Sequence, residues 1–214
     1  MRLAMATLVA ILVFAFMAAD LGFSALARAA SSPAVSPAGQ RAGTPLSAVA
    51  QADRAAVDRA EAAMAALSSR LIARLSEALK AAGAGHAVTV CRDEAPEIAA
   101  AVGREMGVTV GRASHRLRNP KNVPPLWAAQ VVTDGDGKAA SAVTPLVFDL
   151  GSRIGVIKPI GTIDLCTRCH GAAGSLDPAV RAAIAEVYPD DRATGFNAGD
   201  LRGWIWAEVR RPPR

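Results

Sequence analysis

Cys166-Thr167-Arg168-Cys169-His170 places two thiols three positions apart, with an imidazole directly behind the second. That spacing suits covalent attachment of one haem c. Two intervening residues set both sulfurs along one edge of a porphyrin, where they add to its vinyl groups, and the adjoining histidine reaches the iron from one face. Two other chemistries use a Cys-x-x-Cys pair. A zinc site needs further ligands at paired spacing, and Cys91, His86 and His115 stand alone along the chain. A dithiol oxidoreductase carries its pair at the start of a helix behind a strand, early in a βαβ unit. Here the motif comes late, ahead of Gly171 and a glycine-containing loop. Periplasmic thiol–disulfide exchange through Cys166 and Cys169 is retained as the alternative function.

Cys91 is the cysteine left over once that motif is assigned. Arg92 follows it and a helix is expected to begin at Asp93; a cation and a helix N-terminus both favour thiolate, the metal-binding form, while Asp93 and Glu94 oppose it. The bland reading is a small buried hydrophobe. Met106, at a core position of the same helix, His86 and His115 are the other side chains able to bind iron. No Ser/His/Asp set, carboxylate cluster or phosphate loop stands out, and His115 alone suggests a distal acid or base. The chain therefore reads as a non-enzyme.

The elements that must hold these residues are legible from pattern. Arg2 and the apolar run from Leu3 to Ala19 precede two small-x-small sites, Ala25-Leu26-Ala27 and Ala27-Arg28-Ala29. Residues 1–29 thus read as a signal peptide, or an uncleaved anchor, and send the rest to the periplasm. Residues 30–43, rich in Ala, Ser, Pro and Gly, form a linker, and 210–214 a short tail. Thr44 and Pro45 open a long helix, 44–82, of about 57 Å at 1.5 Å per residue. Its stripe of Val57, Met64, Leu67, Leu71, Leu75 and Leu79 faces one side, and a homodimer through 44–82 is one use for it. Strands follow at Ala87–Cys91 and Val108–Ala113, around a helix from Asp93 to Met106 that tolerates Pro96 in its first turn. A hairpin of Val143–Leu150 and Arg153–Ile160 turns at Gly151-Ser152. Asp177-Pro178 opens a helix ending at Tyr188-Pro189, and Gly203–Val209 is a last strand with Trp204 and Trp206 on one face. Asp200 and Arg202 are spaced for a local ion pair. The sum is an α+β antiparallel sheet in one domain, 44–209. A net charge of +5 is too small to argue for nucleic acid, and 20% charged against 51% hydrophobic residues excludes a disordered chain.

Further blocks carry a resemblance. Ala87-Val88-Thr89-Val90 before Cys91, Ala95-Pro96, Gly111-Arg112-Ala113-Ser114 with Arg118-Asn119-Pro120-Lys121-Asn122, Lys158-Pro159-Ile160, Tyr188-Pro189-Asp190-Asp191, Ala193-Thr194-Gly195-Phe196 and Gly199-Asp200-Leu201-Arg202-Gly203 recur in this order. The chain thereby resembles the Tll-like family of c-type haem domains over about residues 45–209. It departs at Ala113 and His115, where Thr and an apolar residue are expected around Ser114. The resemblance implies a PAS-like fold holding one haem, with His170 as the proximal iron ligand and Cys91 as the distal one. It also implies that the basic stretch lies near the haem, so that guanidinium groups of Arg112, Arg116 and Arg118 pair with the propionates. The expected roles are redox or small-ligand sensing, or low-potential electron transfer. A redox protein or a small gaseous ligand would be the partner, and a membrane only if the leader is retained.

Overall fold

The structure, a computed structural model, describes residues 42–211. The leader, residues 30–41 of the linker and residues 212–214 lie outside the described residues. Among the described residues no helix is long and apolar enough to cross a membrane.

The first long element, α1 (Arg54–Met106), is helical apart from Gly83, whose φ of 77° and ψ of −179° are not helical. Arg70 bonds Glu105 at 2.9 Å, and Arg74 bonds Glu94 at 2.6 and 2.8 Å. A straight helix would hold Arg70 and Glu105 about 52 Å apart. The chain therefore doubles back at Gly83, and α1 is an antiparallel hairpin with a front limb, 54–82, and a back limb, 84–106.

Two expectations are corrected here. Thr44 and Pro45 do not open a helix. They form a two-residue strand, β1 (Thr44–Pro45), opposite Val147 and Leu146, and the helix starts ten residues later at Arg54. Pro45 sits at ψ 139°, an extended backbone, and the chain is satisfied by its neighbour strand: Leu46 N–H donates to Pro145 O at 3.1 Å. Ala87–Cys91 is not a strand but part of the back limb. Its Val88 packs on Val180, Ile184 and Tyr188, while Ala87 and Val90 pack on Ala78 of the front limb. Burial toward two partners needs a helical repeat, and it overrides the strand preference of the β-branched residues. Pro96 thus lies inside the limb, where it has no N–H to give to the carbonyl of Arg92.

The remaining elements are β2 (Thr109–Ala113), α2 (Ala129–Thr133), β3 (Leu146–Asp149), β4 (Arg153–Gly161), α3 (Asp164–His170), α4 (Pro178–Val187) and β5 (Leu201–Arg210). The five strands form one antiparallel sheet in the order β1-β3-β4-β5-β2. This is the α+β, PAS-like sheet with flanking helices that the resemblance implied. Strand β5 shows how period-two alternation builds both layers. Ile205, Ala207 and Val209 join Ile154, Val156, Val57, Met64 and Leu67 under α1, while Trp204 and Trp206 turn to Phe148, Trp127 and Val132 on the other face. The stripe on the front limb, the seam of the anticipated homodimer, is thus spent in part on the chain's own core. Helix α4 begins as its sequence dictates: Asp177 Oδ1 accepts from Ala179 N–H at 2.7 Å, with Pro178 in the first turn.

Candidate haem site

Four segments meet at one end of the sheet. The back limb of α1 brings Cys91, the outer end of edge strand β2 brings Arg112, α3 brings the Cys-x-x-Cys-His motif, and the start of β5 brings Arg202. Cys91, Ala95, Pro96, Gly111, Arg112 and Trp206 help line a cavity of about 310 Å³. Gly111 is required there, because a Cβ would come within 2.7 Å of the Trp206 ring that lies across it.

The motif forms helix α3 directly after β4, so its two thiols, three residues apart, share one helical face. All three cysteines are free thiols. Cys169 packs with Val88, Leu176 and Val180, and burial raises its thiol pKa. The placement of the pair at a helix start behind a strand is the one expected of a dithiol oxidoreductase, contrary to the sequence reading. What separates the two is the connection: β4 and β5 are antiparallel, so the strands on either side of α3 do not form a βαβ unit. Among the described residues no three His, Cys, Asp or Glu side chains converge to hold a metal ion, as zinc would need.

His170 is positioned closely. Its Nδ1 lies 2.7 Å from Ala193 O, its own carbonyl accepts from Phe196 N–H at 2.9 Å, and Gly171 O accepts from Gly195 N–H at 2.7 Å. With Nδ1 carrying the proton for that bond, Nε2 keeps its lone pair for a metal. Burial, then the Arg202, Arg118 and Arg112 guanidiniums, hold the imidazole pKa well below its ordinary value, so the ring is neutral at neutral pH. The Phe196 ring stands edge-on at 6.5 Å.

Cys91 occupies the middle of a helical limb and not the N-terminus of one, and Arg92 is paired with Asp93. Neither sequence argument for a thiolate there survives. Burial raises the Cys91 thiol, and the cations that favour its ionisation are Arg112, Arg118 and Arg202, supplied by other segments. A charge on Cys91 is felt at Cys169, which brings the two candidate anchors into one neighbourhood.

The three arginines expected at propionates divide. Arg118 is buried, bonds Asp191 through Nε and Nη2 at 3.0 Å each, and donates to Cys169 O and Ala193 O. Arg116 donates to Arg192 O and Thr194 O and lies 4.4 Å over the Phe196 ring. Both hold the 191–196 loop and are spoken for. Arg112 makes no side-chain hydrogen bond or ion pair among the described residues, and burial lowers its pKa. The sequence reading missed Arg202. It does not pair with Asp200, which accepts from Asn197 N–H at 2.7 Å; it donates to Ser114 Oγ at 2.9 Å, its Nε is buried without a partner, and burial drops its pKa to about 10. The available signal was its place two residues before Trp204 at the head of the last strand, an end that the β2–β5 pairing brings to Ser114. Arg112, Arg118 and Arg202 thus surround the site, and among the described residues Asp191 is the only carboxylate bonded to any of them, a surplus of positive charge suited to a dianionic ligand.

Of the three rival ligands two lie elsewhere, and His115 shares the Phe196 ring with His170. Met106 packs into the core under α1, and His86 is exposed on the back limb. His115 Nε2 is 3.4 Å from Asp136 Oδ1, its Nδ1 is buried without a partner, and its ring sits 6.1 Å from Phe196.

A protein-family model described as Tll0287-like matches residues 44–209. The chain belongs to the Tll0287-like family. A solved crystal structure, that of the cyanobacterial heme-protein Tll0287, is similar at a TM-score of 0.54 and 23% identity, covering 78% of this chain and 99% of that one. At that identity the likeness is one of fold, and it extends over nearly all of the other Tll0287-like chain. Comparison with curated proteins gives no match.

Proposed function

We propose that this protein binds one haem c, covalently held by Cys166 and Cys169, with His170 Nε2 and Cys91 Sγ as the iron ligands, and works in the periplasm in redox or small-ligand sensing or low-potential electron transfer. The observation that carries the reading is the 2.7 Å bond from His170 Nδ1 to Ala193 O, which leaves Nε2 as the free nitrogen beside two thiols on one helical face. Family membership and the fold shared with a heme protein support it.

The residues present fit the group. Arg112 and Arg202 offer guanidinium donors that no carboxylate of the described residues neutralises, which makes them, and not Arg116 and Arg118, the partners for propionates. Ala95 and Trp206 are part of the apolar lining of the cavity beside Cys91, which also takes in the cations of Arg112 and Lys121. Haem supplies one-electron chemistry when bound, and a thiolate ligand lowers its reduction potential relative to a His/Met pair. The chain's own part is to hold the imidazole neutral, exclude water from the Cys91 side and fix both sulfurs. Cys91 rides on one limb of a two-limb hairpin, so loss of its bond on reduction or gas binding would be felt along that limb, as a sensor requires.

The test is protein matured by an exporting cytochrome c assembly system. Haem that stays with the polypeptide in a denaturing gel, and is lost in Cys166→Ser/Cys169→Ser, is expected. Colourless protein with a titratable Cys166–Cys169 disulfide would refute the proposal. Equilibrium binding of CO or NO to the ferrous form separates sensor from carrier.

A further inference from the structure

We infer that Arg118 and Asp191 are a positioning pair that sets the rotation and the proton of the His170 imidazole, acting through the Ala193 carbonyl; the inference rests on the ligand role proposed above for His170. Both side chains are over nine-tenths buried, with side-chain exposures of 8% and 7%. The pair is bidentate, 3.0 Å at each bond, and joins positions 73 residues apart. Its other side-chain bonds lead to the motif and to the loop that the motif histidine bonds. Arg118 Nη2 donates to Cys169 O at 2.7 Å, on the helix that carries the ligand, and to Ala193 O at 3.2 Å, on the loop that receives the ligand's proton. Asp191 Oδ1 accepts from Ala193 N–H at 3.0 Å, which holds the same peptide from its other end.

The Ala193 carbonyl is therefore shared by two donors, His170 Nδ1–H and the Arg118 guanidinium. Its direction fixes the plane of the imidazole, and its charge sets how far the ring is pushed toward imidazolate. A guanidinium on the same oxygen draws electron density away from the His170 bond, while the planar, two-pronged Asp191 contact keeps that guanidinium in place. A lysine does not reproduce this, because its single nitrogen cannot make the two side-by-side bonds by which Nε and Nη2 hold both Asp191 oxygens.

Three variants test the inference: Asp191→Asn, Arg118→Lys and the double exchange Arg118→Met/Asp191→Leu. The last removes both charges at once and so leaves neither stranded in the interior if a single exchange unfolds the protein. Two readouts are taken. In the haem-free chain, NMR exchange of the His170 Nδ1–H with deuterated solvent reports the bond without any haem. In the matured protein, the reduction potential and the low-spin EPR g-values report the ring. We expect exchange about tenfold faster in Asp191→Asn and in the double variant, the size of a lost charge-assisted bond. We also expect altered g-values and a shifted potential in both, and smaller changes in the same sense in Arg118→Lys. Folded Asp191→Asn and double variants with wild-type exchange, g-values and potential would overturn the inference and leave the pair a structural clamp. If wild-type protein binds no haem, the ligand reading fails instead, and the exchange measurement still decides whether the pair governs the histidine.

Discussion

Gly83 is the residue on which the placement of Cys91 turns, and replacing it with alanine measures how much. At φ 77° and ψ −179° its backbone lies in a region essentially reserved for glycine, and a Cβ added there meets nothing within 4 Å. The cost of Gly83→Ala is therefore purely conformational, about 1–3 kcal/mol with no overpacking added. Gly174 provides the control: its Cβ space is equally open and its φ is not in the positive range. Gly174→Ala should be neutral or stabilise by about 0.4–1 kcal/mol through the unfolded chain. Urea unfolding of the haem-free protein separates the two variants. Gly83→Ala should lower the midpoint at unchanged m-value, and thermal melting should fall by roughly 2–12 °C for a chain of this size. Gly83→Asn should not rescue it, because asparagine tolerates the ordinary left-handed region and not this one. Gly107, at φ 63° and ψ 37°, does lie in that region, and Gly107→Asn should be far milder. If Gly83→Ala unfolds within about 0.5 kcal/mol of wild type, the two limbs do not join at Gly83 in this conformation, and the position assigned to Cys91 falls with it.

Other consequences are open to direct measurement. Arg112→Leu should leave the haem-free protein as stable as wild type or more so, since it removes a half-buried cation that bonds no partner among the described residues, yet lower the reduction potential of the matured protein by removing positive charge; potentiometry beside urea unfolding checks both signs. His170 has its pKa held below 6.5, chiefly by burial, so the folded haem-free protein resists protonation that the unfolded chain accepts. Its contribution to stability should be full above about pH 6.5 and lost as pH falls through the folded value, and His170→Gln should flatten that slope. The bonds Arg70–Glu105, at exposed positions, and Arg74–Glu94, at half-buried ones, tie the limbs together, with each carboxyl lowered by its arginine. Raising salt to about 1 M should weaken these ties, and Glu105→Gln should reduce the sensitivity of unfolding to salt.

How much of this was legible in the sequence depends on how local each determinant is. Asp177-Pro178, the Gly151-Ser152 turn and the paired Trp204 and Trp206 act within a few residues, and α4, the β3–β4 hairpin and β5 fall where they were expected. The motif at Cys166, Cys169 and His170 was equally plain. Ala87–Cys91 misled because Val88, Thr89 and Val90 favour strands, whereas their conformation is decided by α4 and the front limb, neither of which can be read from that segment. The end of the first helix at residue 82 was legible but not the reversal at Gly83, since only the cross-limb bonds reveal the direction of the chain after it. The arginines show the same limit. Arg116 and Arg118 are occupied by carbonyls and a carboxylate more than 50 residues away, partners that no local spacing announces. Arg202 gained its place because β5 pairs with β2, which brings its segment beside Ser114.

The most direct test of the whole account is the ferric EPR and absorption spectrum of matured wild-type protein beside Cys91→Ser. The account predicts a low-spin thiolate-ligated signature in the wild type that disappears in the variant, with the haem still attached in both. Identical spectra would contradict it: Cys91 would then be packing alone, and the iron would be bound on that side by another group or left open.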